Sequence, residues 1–245
     1  MTQGSVEASP QRYARIGGFL YLIIIAIGLW GEAFVREKLI VSGDAARTAA
    51  NIVAHESLWR AHIAGEMVLL LCAAGLLMIE FLLLWPVSRE LALLAAIFDI
   101  MSICVEAVVA MYLIQTLFPL GNDGYLKVFT PEQLAALARM DLRSHGYGFG
   151  VSLIFFGCAC IVTGYLIFRS GYFPKVIGAL MAIAGVCYLI NSFALILSPE
   201  VAGRLYPSIL IPSFIGELSF CLWLLIMGVN VQKWNESLGL SIEIA

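Results

Sequence analysis

The chain has 245 residues, 61% of them hydrophobic and 13% charged, against roughly 45–50% and 25% in ordinary soluble domains. Its mean hydropathy is +0.94 and its formal net charge is −3, from 14 basic and 17 acidic side chains. These values exclude a soluble globular enzyme and a disordered segment, and they leave no nucleic-acid footprint. A spanning helix takes about 20 apolar residues, so the length accommodates several spans with short connections and no sizeable extramembrane domain. The expected architecture is all-α: a polytopic membrane protein forming a single domain over 1–245, with six transmembrane helices and two interfacial amphipathic helices.

The first apolar run, 16–34, follows Arg12 and Arg15 as the core of a signal peptide would. A cleavable core is about 7–15 residues long, and this run is longer and lacks a small-x-small exit, so it reads as an uncleaved span. Asp44 then suits the N-cap of a short helix from Ala45 to Ile52. Spans follow at 58–85 and 91–118, with Pro86 and Pro119 at their ends, where the missing N–H does least damage. Thr130-Pro131-Glu132-Gln133 combines an N-cap, a proline at the first helical position and a capping-box glutamine. Leu134, Leu137, Ala138 and Leu142 continue it with helical period, giving a second amphipathic helix on the same membrane face as the first. Spans at 147–168, 176–197 and 208–231 complete the set, punctuated by Pro174, Pro199 and Pro207. Pro212 falls inside the last run, where it is harmless near a helix start and implies a kink if deeper.

Orientation rests on the basic residues of the connections. Arg12, Arg15, Arg89, Arg169, Lys175 and Lys233 would share one side, in very short basic connections. Arg36, Lys38, Arg47, Arg60, Lys127, Arg139, Arg143 and Arg204 would share the other, interleaved with acids. Density favours the first side as cytoplasmic although the raw count does not, which places both termini inside. All six cysteines (Cys72, Cys104, Cys158, Cys160, Cys187 and Cys221) fall in apolar runs and read as packing residues. Gly146-Tyr147-Gly148-Phe149-Gly150 and the Gly178, Ala182, Gly185 stripe read as close helix-approach surfaces. No internal repeat supports an inverted-repeat transporter.

The spans contain Glu66, Glu80, Asp99, Glu106 and Glu217, with no central lysine or arginine to neutralise them. A carboxyl at membrane depth needs a partner, a proton, water or a cation, so each is a functional candidate, the plain alternative being neutral acids hydrogen-bonded between helices. At 1.5 Å per residue, Glu66, Glu106, Glu217 and Asn191 lie about 12, 18, 14 and 9 Å from the outer ends of their spans. They therefore form an outer-half polar layer, whereas Glu80 and Asp99 lie toward the inner half, within reach of Arg89, and rank lower. His55, Trp59, His62 and Glu66 form one stripe if their helix is continuous. His62, Glu66, Asp141 and His145 would be a two-histidine, two-carboxylate metal group if spans two and four pack together. The plain alternative is histidines that fix loop docking. No His-Glu-x-x-His, Walker or dinucleotide-binding motif is present.

Several segments together resemble the bacterial membrane-protein family named domain of unknown function 4386. They are Arg12-Tyr13-Ala14-Arg15-Ile16-Gly17-Gly18 with Tyr21-Leu22, Gly43 to Ile52, His145-Gly146-Tyr147-Gly148 with Phe155-Phe156-Gly157, Tyr165 to Pro174, and Gly216 to Leu225. The resemblance implies a compact six-span protein of the bacterial inner membrane and supplies no catalytic residues or cofactor. The leading functional expectation is a small-molecule or ion ligand, bound or transported through an outer-half cavity lined by Glu66, Glu106, Asn191, Glu217, His62 and His145. The alternatives are a metal-assisted intramembrane hydrolase and a structural or accessory subunit. The expected partner is the lipid bilayer rather than nucleic acid, and homo-oligomerisation is left open.

Overall fold

Caps, prolines and glycines set the helix boundaries in the computed structural model, which describes residues 9–239. In chain order the helices are α1 (Pro10–Leu39), α2 (Ala45–Ala54), α3 (Glu56–Leu84), α4 (Arg89–Gln115), α5 (Pro131–Ser170), α6 (Lys175–Leu197), α7 (Pro199–Leu205), α8 (Ser208–Ile226) and α9 (Val231–Ser237). Six of them, α1, α3, α4, α5, α6 and α8, are long and apolar enough to cross a membrane. No strand occurs among the described residues. The expected domain of 1–245 extends past the described residues at both ends.

Asp44 caps α2 as its chemistry requires, its Oδ1 accepting from the Arg47 amide at 2.8 Å. Thr130 Oγ1 accepts from the Gln133 amide at 3.3 Å while Gln133 Oε1 accepts from the Thr130 amide at 2.9 Å, closing the expected capping box. What this box starts is longer than expected. The second amphipathic segment is not a separate interfacial helix, because α5 runs unbroken for 40 residues from Pro131 to Ser170. Pro212 falls in the first turn of the regular helix Ile211–Ile226, where it costs little. That helix ends before the expected 231, because Gly228 adopts φ 70° and turns the chain into α9.

The spanning helices close into a ring in sequence order: α1 packs on α3, α3 on α4, α4 on α5, α5 on α6, α6 on α8, and α8 returns to α1. The α5–α6 contact uses small residues on both sides. A Cβ added to Gly164 would sit 2.6 Å from the Gly178 carbonyl oxygen and the Ala182 nitrogen, and one added to Gly157 would sit 2.9 Å from the Gly185 carbonyl oxygen. Such backbone approach lets van der Waals contact hold helices together where lipid removes the hydrophobic drive. The closing α8–α1 seam is polar at its end: Gln11 donates to the Met227 carbonyl at 2.9 Å and accepts from the Val229 amide at 3.0 Å, and Arg15 donates to the Leu225 carbonyl at 3.0 Å.

The two ends of the ring differ. At the end with the short turns α3–α4 and α5–α6, a cluster including Tyr21, Leu83, Ile167, Tyr172, Phe173, Phe220 and Leu224 fills the centre. It is pinned by Tyr172 Oη donating to the Leu83 carbonyl at 2.7 Å and Trp234 Nε1 donating to the same oxygen at 3.2 Å. At the end with the long connections, Val35, Leu39, Ile52, Trp59, Leu113 and Leu142 gather α2 against the ring. Outward faces carry large exposed apolar side chains such as Phe19, Leu71, Val108 and Ile183, a surface suited to lipid.

Candidate functional site

Ring closure leaves a central cavity of about 280 Å³ to which all six spanning helices contribute. Its wall is mainly apolar, with Ile24, Ile25, Leu76, Leu153 and Phe156 among the lining residues. Set into that wall are four carboxyls, Glu80 from α3, Asp99 and Glu106 from α4 and Glu217 from α8, together with Tyr21, Tyr188, Ser102 and Thr163. Among the described residues no lysine, arginine or histidine lines it. Leu29, Phe149 and Phe214 are the most exposed lining residues, at 50%, 37% and 40%, and all three lie toward the long-connection end of their helices. The more exposed part of the cavity wall therefore lies toward that end, and the aromatic cluster packs at the other.

The carboxyls occupy distinct levels. At 1.5 Å per residue, Glu80, Asp99 and Glu217 lie about 6, 15 and 14 Å from the short-turn ends of their helices and Glu106 about 26 Å. Glu217 accepts a hydrogen bond from Tyr188. Glu106 accepts from Ser152 Oγ at 3.3 Å, and Ser152 and Ser102 share a buried hydroxyl contact of 2.9 Å that joins α5 to α4. Glu80 and Asp99, both half-buried in the wall, accept no hydrogen bond from another described residue. They also share a smaller recess between α3 and α4 with Thr163.

Beyond the mouth lies a second polar group, organised by a π-helical turn at Gly31–Arg36 in α1. Such turns add a residue to the helix and re-aim its side chains. Arg36 pairs with Glu32 at 3.0 Å and donates to His145 Nδ1 at 3.1 Å, tying α1 to α5. That contact requires His145 to present an unprotonated Nδ1. His62 is 1% exposed and neither ring nitrogen has a hydrogen-bond partner among the described residues; Glu66 Oε1 is 3.7 Å from its Nδ1. Trp30 and Trp59 flank it edge-on, and Gly31 leaves it room, since a Cβ there would fall 2.8 Å from the ring. Tyr206 Oη donates to Glu32 at 3.2 Å. Burial first, and Glu32 second, hold its phenol above the usual value, so it stays a donor.

Of the residues singled out from the sequence, Glu106 and Glu217 meet in the cavity. Glu66, His62 and His145 stand outside it in the group around Arg36, and Asn191 and Asp141 are half-buried and belong to neither. Glu80 and Asp99, ranked lower by depth, line the cavity. Arg89 does not neutralise them, because its guanidinium stacks 4.5 Å over the Trp85 ring. His55 leaves the expected stripe: it occupies the break between α2 and α3, is exposed, and contacts the Asn51 carbonyl at 3.0 Å. Among the described residues no three of histidine, cysteine, aspartate and glutamate are arranged to hold a metal ion.

An all-helical chain whose six bilayer-length apolar helices close around a cavity is a multi-pass membrane protein. It belongs to the family described as Domain of unknown function (DUF4386), whose profile matches residues 16–228. Over 149 residues it is 30% identical to an uncharacterized protein of Archaeoglobus fulgidus, a match that covers 57% of this chain and 86% of that protein. No solved structure matches it.

Proposed function

We propose that the protein binds a small positively charged molecule or ion in the central cavity, reached from the long-connection end. The observation that carries this reading is the charge of the lining: four carboxyls and, among the described residues, no cationic side chain, in a largely apolar chamber. A carboxylate at such depth requires a counter-charge, water or a proton, and a cationic ligand supplies the first. With both termini on the cytoplasmic side of a bacterial inner membrane, the mouth faces outward, as the binding chamber of a transporter or a sensor. A metal-assisted hydrolase has less support. The residues offer one His62–Glu66 pair, and His145 already accepts from Arg36.

The test is the charge selectivity of access. Ile103 lines the cavity without joining the hydrogen-bonded network, so Ile103→Cys introduces a reporter thiol. The full chain in phosphatidylcholine nanodiscs would be treated with an ethylammonium and an ethylsulfonate methanethiosulfonate, and modification at position 103 followed by peptide mass spectrometry. The cationic reagent is expected to react at least about tenfold faster, the size of effect local fields produce. Glu80→Gln, Asp99→Asn, Glu106→Gln and Glu217→Gln together should bring the ratio down to that of the two reagents with a free thiol. Equal rates in the parent, or a faster anionic reagent, would refute the reading.

A further inference from the structure

The levels of the carboxyls carry the argument from charge to ligand class. Building on the cationic-cavity reading, we infer that the ligand is a linear aliphatic amine with positive charges at two points along its length, a diamine or a longer polyamine. Asp99 and Glu106 lie two turns apart on one face of α4, about 10 Å along the axis. Ser102 and Ile103 line the wall between them. At the lower level Asp99 is joined by Glu217, with Glu80 on their short-turn side in the recess it shares with Asp99; at the upper level Glu106 stands alone inside the cavity, with Glu66 beyond it.

Three features match this pattern to a divalent organic cation better than to an inorganic one. The carboxyls are spread out, and no three are gathered as ligands for a metal ion among the described residues. Glu80 and Asp99 face the cavity with no donor from the described residues, so the lower level holds acceptors for an ammonium group, which brings donors only. The wall between the levels is apolar, with Ile25, Leu153 and Phe156 placed to cover methylene groups. A monoamine of the same length would reach one level and leave the other without a counter-charge. An extended chain advances about 1.2 Å per bond, so nitrogens some 10 Å apart are separated by about eight bonds.

The experiment is a chain-length series measured by isothermal titration calorimetry on the full chain in phosphatidylcholine nanodiscs. The probes are 1,7-diaminoheptane, 1,3-diaminopropane, heptylamine and potassium chloride. The seven-carbon diamine is expected to bind at least about tenfold more tightly than the three-carbon diamine or heptylamine. Glu106→Gln on one side, and Glu80→Gln, Asp99→Asn and Glu217→Gln together on the other, should each reduce its affinity to that of heptylamine without moving the heptylamine value by as much. Equal affinities for heptylamine and 1,7-diaminoheptane, or a diamine advantage that survives Glu106→Gln, would overturn the two-point inference. Should the variants fail to fold, the length series on the unaltered chain decides. Absence of binding by every amine, with cation-selective labelling at position 103 intact, would overturn the amine class and leave the cavity reading standing.

Discussion

Replacing Gly164 with alanine tests the α5–α6 contact on which the ring depends. Alanine is the better helix former by about 1 kcal/mol, so in an uncrowded helix the change stabilises. Here the new methyl would sit 2.6 Å from both the Gly178 carbonyl oxygen and the Ala182 nitrogen, backbone atoms that no rotamer change can move. Ordinary contact begins near 3.4 Å, so the helices must part by about 0.8 Å locally, and a close-packed interface resists that. Overpacking of this kind costs about 1–3 kcal/mol, and set against the propensity gain it leaves a net loss of up to about 2 kcal/mol. Gly146→Ala is the matched control on the same helix, because a Cβ there meets nothing within 4 Å. Thermal unfolding in one detergent, followed by tryptophan fluorescence, should place Gly164→Ala below the parent and Gly146→Ala level with it or above. If both variants unfold together at or above the parent temperature, the backbone-to-backbone approach does not hold these helices as argued.

Gly31→Ala should destabilise the chain by about 1–3 kcal/mol through collision with the His62 ring, and His62→Ala in the same chain should restore most of the loss. Thermal unfolding of the two single variants and the double variant measures that coupling, and purely additive effects would refute it. Thr130→Ala removes half of the capping box and should cost about 1 kcal/mol. The loss should be confined to the first turn of a long helix, so hydrogen exchange at the Gln133 and Leu134 amides should quicken while exchange near Cys160 stays unchanged. Unchanged exchange at Gln133 would show that the cap does not hold the turn.

The six spans were legible because bilayer thickness sets a minimum length for apolar runs, and because prolines at 86, 119, 174, 199 and 207 interrupt them. Asp44 and Thr130 announced their helices because N-capping is a local interaction over three residues. The continuity of α5 was hidden for the opposite reason. Gly146, Gly148 and Gly150 fall where the expected amphipathic helix meets the expected span, and they act as the close-approach surface read from the sequence, Gly150 yielding room to Leu195 of α6, whose Cδ2 would lie 2.8 Å from an added Cβ. Intramembrane acids were visible by their residue type, but depth along a helix is a poor guide to which of them meet. Glu80 and Asp99 reach the cavity because α3 and α4 turn those faces to the ring centre, a rotation that only the closed assembly defines. The π-helical turn that brings Arg36 to His145 has no recognisable signature in Gly31-Glu32-Ala33-Phe34-Val35-Arg36.

Because each spanning helix leans on its neighbours in sequence, almost every helix pair of the ring can dock as soon as the second member has been synthesised and inserted. The seam between α8 and α1 is the exception, since the partners of Gln11, Arg15 and Gly18 (Met227, Leu225 and Cys221) follow the other five spanning helices. Until then the growing chain is an open arc whose acidic interior is exposed along one flank to the lipid. Docking of α8 supplies Glu217 and closes that flank in the same event, so the chamber and its full complement of carboxyls come into being together.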